Sequence, residues 1–278
     1  MRHIILFLLL HVVIFAGDYE KGLDAQSDGN LTGAFYYYNK ATRDGDINAQ
    51  YNLALLYDKG MGVTKDSKKA FTLLLDASEK NSAPAQLYLG MLYSIGEVVA
   101  KDLNKTMYWF TKSANQGNVR AQSNLGIAYS RGIGTTKDMQ KAFYYFTQAA
   151  ASADAGAEFN LGIMYEDGIA TQKDTGKALE YYKRAALQGN MYAQHNLALM
   201  YYQGVGTIKD RAKAAQWYEK AAKTGNPSSA FNLAILYCLG DGVQKDLYRC
   251  SSLASYAKKR GVNVSKLWNK FELSKYLK

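Results

Sequence analysis

Apolar residues recur at helical spacing in blocks that return every 36 residues. Between Ala49 and Lys59, the residues Leu53, Leu56 and Tyr57 fall on one face, which predicts an amphipathic helix. A second run starts at Asp66 and passes through Ala70, Leu73, Leu74 and Ala77 before it ends near Asn81. Gly60 and Gly62 stand between the two. A Gly just past the last turn closes a helix in the left-handed conformation, so the unit reads as helix, tight loop, helix. The Asp66 carboxylate is placed to cap the second helix. The same residue types return on the beat, with Tyr57, Tyr93, Tyr129, Tyr165, Tyr201 and Tyr237 in one register and Asp66, Asp102, Asp138, Asp174, Asp210 and Asp246 in another. Agreement inside one chain is direct evidence of an internal repeat. Ala54, Gly90, Gly126 and Gly162 give each first helix a small contact, while bulky pairs such as Trp109-Phe110 and Tyr181-Tyr182 occupy the second helices. Pro84 and Pro227 fall in turns between units, where a helix can begin with Pro.

The stretch Leu161 to Asn190, LGIMYEDGIATQKDTGKALEYYKRAALQGN, keeps the shared pattern best and resembles the Sel-one-like repeats, relatives of the tetratricopeptide repeats. The resemblance runs from about Gly17 to Asn263. It implies an all-α fold, a right-handed α-solenoid superhelix of antiparallel helix pairs that serves as a protein-binding scaffold. Departures are local: Val98 and Ala170 replace the second loop Gly, Thr106 and Cys250 replace a small second-helix Ala, and Ala153 replaces a terminal Gly. On this reading residues 17–48 form a shortened first pair. Repeats follow over 49–84, 85–120, 121–156, 157–192, 193–228 and 229–264. Residues 265–278 form a capping helix with Leu267, Phe271 and Ser274 on one face, covering the unstacked end of the array.

Residues 1–16 read as a cleaved signal peptide: Arg2, an apolar run from Ile4 to Phe15, then the small residues Ala16 and Gly17. About 13 apolar residues fall short of the roughly 20 that a spanning helix needs. The expectation is an exported protein of bacterial origin, periplasmic or secreted. Without the leader, His195 is the one histidine left, which argues against a zinc site, a His-centred catalytic group or any cofactor. Cys238 lies in the last turn of a first helix and Cys250 in the second turn of its partner, positions that a tight loop brings side by side. An oxidising compartment would bridge them; two buried free thiols are the alternative.

Charge adds one feature. The net formal charge is +10, and the segment from Lys245 to Lys278 has nine Lys or Arg against two acids. Export makes nucleic acid an unsuitable partner. An acidic protein, or an anionic envelope surface met through Lys258, Lys259, Arg260, Lys266 and Lys270, fits better, with a solvated basic cap as the plain alternative. The chain is expected to be a monomer.

Two adjacent registers of the first helices carry the candidate binding chemistry. One varies: Tyr51, Leu87, Ser123, Phe159, His195 and Phe231. The other is nearly constant: Asn52, Asn124, Asn160, Asn196 and Asn232, with Tyr88 as the exception. First helices line the concave face in tetratricopeptide-like stacks, so the resemblance makes both rows a candidate peptide surface. The Asn side chains can bond an extended backbone or hold neighbouring helices together, and both readings stand. A catalytic reading rests on Ser255-Tyr256-Ala257-Lys258, which matches S-x-x-K, and on Lys223-Thr224-Gly225, which matches K-T-G. Their order is reversed and no S-D-N motif exists. The bacterial cysteine-rich, Hcp-type repeat proteins, a more distant resemblance, imply penicillin interaction or weak β-lactamase activity as an alternative. The preferred reading is a non-catalytic adaptor that binds a protein or peptide on its concave face.

Overall fold

The Asp66 carboxylate accepts a hydrogen bond from the Lys69 amide at 2.9 Å, which caps the helix that follows. Asp102, Asp138, Asp174, Asp210 and Asp246 repeat the bond. Each cap is worth about 1 kcal/mol. The tyrosine register is explained by the same turn. The backbone carbonyls of Tyr57, Tyr93, Tyr165, Tyr201 and Tyr237 accept from the amide of the capping Asp. Their rings lie under Lys69, Lys105, Lys177, Lys213 and Arg249, with the cation 4.4 to 5.5 Å from the ring centroid. Tyr, Asp and the basic residue in the first turn thus form one loop-fixing module, copied from pair to pair.

The structure, a computed structural model, describes residues 17–276. It divides into two units, Met1–Lys137 and Asp138–Lys278. The first contains α1 (residues 17–27), α2 (Leu31–Arg43), α3 (Ile47–Lys59), α4 (Ser67–Glu79), α5 (Ala83–Ile95), α6 (Leu103–Asn115) and α7 (Val119–Arg131). The second contains α8 (Met139–Ala151), α9 (Ala155–Asp167), α10 (Thr175–Leu187), α11 (Met191–Gln203), α12 (Arg211–Lys223), α13 (Pro227–Leu239), α14 (Leu247–Lys259) and the short α15 (Ser265–Lys270), followed by a 3-10 turn at Leu273–Tyr276. Within each unit consecutive helices pack on one another, giving an α-solenoid of helix pairs. The signal-peptide reading concerns residues outside those described.

First helices begin a little earlier than the apolar pattern alone places them. α3 starts at Ile47 rather than Ala49 because Asp46 caps it, accepting from the Ala49 amide at 2.8 Å. The expected closures are present, since Gly60, Gly96, Gly132, Gly168, Gly204 and Gly240 are all left-handed. The second loop Gly does more than keep the loop short. A Cβ on Gly206 would sit 2.4 Å from the Thr175 carbonyl oxygen, so this loop docks on the first residue of α10.

The small first-helix positions meet the bulky second-helix residues. A Cβ on Gly90 would stand 2.6 Å from the Phe110 ring, and one on Gly162 would stand 2.5 Å from Tyr182. Tyr38 is seated in the same way against Gly22, and Tyr38 and Tyr182 are among the largest fully buried side chains.

The C-terminal cap corrects the expectation of one continuous helix. α15 stops at Lys270, and Glu272 turns left-handed with φ 48°. That reversal sends Leu273, fully buried, into a cluster with Cys238, Cys250 and Ala254, and the Ser251 hydroxyl donates to the Leu273 carbonyl at 2.9 Å. A straight helix would have carried Leu273 away from this core. Cys238 and Cys250 are bridged, with Cα atoms 5.4 Å apart, which fastens α13 to α14 under the cap.

Candidate binding face

Three consecutive registers of the first helices differ in what they do. The innermost, overlooked in the sequence, is a glutamine row. Gln86 Nε2 donates to the Ser78 carbonyl at 3.0 Å, Gln122 to Ala114 at 3.3 Å and Gln194 to Ala186 at 3.1 Å. Each adds a side-chain donor to a carbonyl at the end of the preceding second helix that already accepts from the backbone of the following turn. Their amide oxygens also serve: Gln116 donates to Gln86 and Thr224 donates to Gln194. Glu158 interrupts the row as a fully buried carboxylate. It is paired with Arg184 at 2.5 Å and accepts from Gln188 at 2.7 Å. The signal was available as a Gln recurring on the 36-residue beat, but an amide in a helix carries no marker of what it bonds.

The next register is the variable one, and its members are half-buried except Leu87, which is buried. Phe159 lies between Tyr182 and Tyr192, ring centroids 6.0 and 5.9 Å away, and Tyr192 is 55% exposed. Tyr192 was not marked by the sequence pattern, yet it extends this aromatic surface. His195, one turn along α11, shares Nδ1 with the Ser229 hydroxyl at 2.7 Å and has its ring centroid 5.8 Å from Tyr218. Burial pulls its pKa below the ordinary histidine value. Phe231 packs beside Trp268 and Tyr256. In the first unit, burial pushes the Tyr51 hydroxyl up, opposed by the nearby Arg120.

The third register holds the asparagines, all half-buried. The amides of Asn52, Asn196 and Asn232 stand beside the phenols of Tyr38, Tyr182 and Tyr218, where they favour the phenolate and partly offset the upward push of burial. Burial still lifts the Tyr218 phenol to about 12. Asn124 and Asn160 stand at the same spacing from Phe110 and Phe146, which have no hydroxyl. Asn160 turns instead to the Gly156 carbonyl at 2.7 Å. Tyr88, the exception, donates to Asp58 at 2.7 Å, and burial together with that carboxylate pushes its pKa up. The Asn row thus faces the second helices wherever a Tyr stands across from it.

The sequence pattern of the Sel1 repeat matches residues 15–46, 47–82, 83–118, 119–154, 155–190, 192–226 and 227–261. The chain belongs to the Sel1-repeat family. Among solved structures, a Sel1 repeat protein from Oxalobacter formigenes is 32% identical, with 87% of this chain and 99% of that one covered and a TM-score of 0.78. A second is c5321, a protective antigen present in uropathogenic Escherichia coli strains displaying an SLR fold. It is 28% identical, with a TM-score of 0.82 over 89% of this chain. This Sel1-repeat chain spans 54% of the length of that antigen. Helicobacter pylori cysteine rich protein B is 27% identical over 48% of this chain, but its TM-score of 0.38 carries no functional argument. No curated protein matches the sequence. Sel1-repeat proteins are helical scaffolds that generally mediate protein–protein interaction.

The residues of the catalytic alternative are placed in unit two. The Lys258 ammonium lies 5.2 Å over the Trp268 ring. Thr224 closes α12, its hydroxyl donating to the Ala221 carbonyl at 3.0 Å, and Gly225 continues the turn at φ 107°. Lys258, Thr224 and Gly225 thus have structural contacts in this Sel1 array. Two further basic residues of the C-terminal segment are likewise set over rings, with Arg260 3.8 Å above Tyr256 and Lys270 5.5 Å from Phe271.

Proposed function

We propose that this chain is an exported, non-catalytic adaptor that binds a protein or peptide segment along the first-helix face of its repeats, concave in the superhelix of such arrays. The observation that carries the reading is the contrast between neighbouring registers. The Gln row is spent on bonds within the fold and the Asn row faces the second helices, whereas Tyr51, Phe159, His195 and Phe231 vary between units and keep part of each ring open to solvent. Packing alone asks for the same residue in each copy. Variation at a half-open aromatic position is what recognition of one particular partner requires. The Cys238–Cys250 bridge supports export, because disulfides persist in oxidising compartments.

The test is affinity capture from the native envelope with the mature chain, repeated with Tyr51, Phe159 and Phe231 changed to Ala. A partner retained by the parent chain and by a Tyr36→Ala/Tyr144→Ala control, but lost by the triple variant, supports the reading. Equal retention by all three removes it. Turnover of nitrocefin that disappears on Ser255→Ala would overturn the non-catalytic part.

A further inference from the structure

At the C-terminal end of unit two, two cavities open side by side over α14. The first, about 360 Å³, is a slot between α12, α13 and α14 with Leu233, Leu253 and Ala222 in its walls. The second, about 690 Å³, is a bowl between α14 and the 3-10 turn, lined by Tyr248, Tyr276, Ser255, Lys259 and Arg260. Ser252 and Tyr256 belong to both, so the two form one continuous groove. Each volume lies within the range of ordinary ligand sites.

The groove is polarised along its length. Around the slot, charge is internally satisfied: Lys223 pairs with Glu219 at 3.1 Å, and Arg249 bonds the Tyr237 hydroxyl at 2.5 Å. In the bowl it is not. Among the described residues neither Lys259 nor Arg260 has a carboxylate within 4.0 Å, and no acid occurs between Leu247 and Phe271. The Arg260 guanidinium is laid on the Tyr256 ring, 3.8 Å from its centroid. A ring contact does not consume the guanidinium N–H donors, which remain available to a carboxylate. The hydroxyls of Ser252 and Ser255 add donors on the same wall.

We propose that this groove is a docking site for an acidic peptide segment of a partner protein, with an apolar side chain entering the slot and a carboxylate resting at Lys259 and Arg260. The site is separate from the first-helix face and does not depend on it. A membrane would meet the basic residues as a diffuse field and has no use for an apolar slot set beside a neutralised rim; a peptide carrying both chemistries uses the whole groove.

The probe is a fluorescein-labelled decapeptide of Asp and Glu with one central Phe, titrated by anisotropy against the mature chain. Its neutral Asn/Gln counterpart and vesicles of phosphatidylglycerol and phosphatidylcholine are run in parallel. Lys259→Ala/Arg260→Ala is expected to weaken peptide binding about tenfold or more. Ser252→Trp, which fills the shared rim, is expected to do the same at unchanged charge. Lys266→Ala/Lys270→Ala removes equal charge outside the groove and should change binding less than about threefold. All the altered residues are exposed, and circular dichroism confirms that the variants fold. Equal loss in the two charge variants, full binding by Ser252→Trp, tight binding of the neutral peptide, or binding to vesicles without binding to peptide would each overturn the proposal. So would no binding to any probe.

Discussion

The buried phenol of Tyr182 donates to Glu166 at 2.6 Å, with the Asn196 amide beside it. The hydroxyl is thus held where Gly162 lets α9 approach the ring most closely.

Two substitutions separate the hydroxyl from the close approach. Tyr182→Phe keeps the ring, as Phe146 does in the neighbouring pair, and should cost about 1 kcal/mol for the lost hydrogen bond. Gly162→Ala puts a methyl 2.5 Å from the same ring and should cost more, up to about 3 kcal/mol, because neither helix can move without disturbing its other neighbour. Urea unfolding of both variants ranks them; the reverse order would show that the helices slide apart easily.

Glu158 and Arg184 give a test of the glutamine row. Glu158 is buried while Arg184 is 44% exposed, so the two partners differ in what their loss leaves behind. Arg184→Ala strands a buried carboxylate and should cost about 3 kcal/mol. Glu158→Gln restores the residue found at Gln50, Gln86, Gln122 and Gln194, leaves Arg184 on the Ala150 carbonyl and over the Tyr181 ring, and should be within about 1 kcal/mol of the parent. In a Glu158→Gln background, Arg184→Ala should then cost only about 1 kcal/mol, for the Ala150 bond and the Tyr181 contact that remain. A double-mutant cycle measures this coupling, and additive costs would contradict it.

The helix pairs, their caps and the bridged cysteines were legible because each depends on local chemistry: a left-handed Gly, an Asp before a helix, two thiols across a tight loop. The rows on the first helices were legible only as rows. Whether an Asn faces a ligand or a Tyr is decided by the residue packed across from it, and Tyr38, Tyr182 and Tyr218 looked like ordinary apolar core in the pattern. Tyr192 was missed because it varies at the N-terminal turn of α11, where no periodic signal marks it. The break at Glu272 was hidden because the apolar spacing of Leu267 and Phe271 fits a straight helix, and only the space beside Cys238 and Cys250 draws Leu273 aside.

The Cys238–Cys250 bridge should steady the end of unit two more than anything upstream. It closes a separation of 12 residues, for which loop entropy gives about 3 kcal/mol. Both cysteines are fully buried, so Cys238→Ala/Cys250→Ala leaves apolar groups in an apolar cluster and isolates the crosslink. Hydrogen exchange should rise in α13, α14 and α15 and stay unchanged in α2 to α6. A uniform rise through α2 to α6 would mean that the bridge acts on the whole chain rather than on its end.

His195 sets a pH dependence whose sign follows from its burial. The folded-state pKa lies below the ordinary 6.5, and desolvation is the cause. Above that value the imidazole is neutral in both folded and unfolded chains, and its contribution to stability is fully present. As the pH falls below 6.5 the unfolded chain takes up a proton that the folded chain resists, so this part of the stability is lost until the folded pKa is passed. His195→Phe places at this position the residue found at Phe159 and Phe231 and removes the titration. It also leaves the buried Ser229 hydroxyl without its 2.7 Å partner, a cost that does not depend on pH. The parent should therefore be the more stable protein at pH 8, and its advantage should shrink between pH 6.5 and 5 in urea unfolding carried out on both. An advantage that stays constant across that interval would place the His195 ring in water rather than against Tyr218.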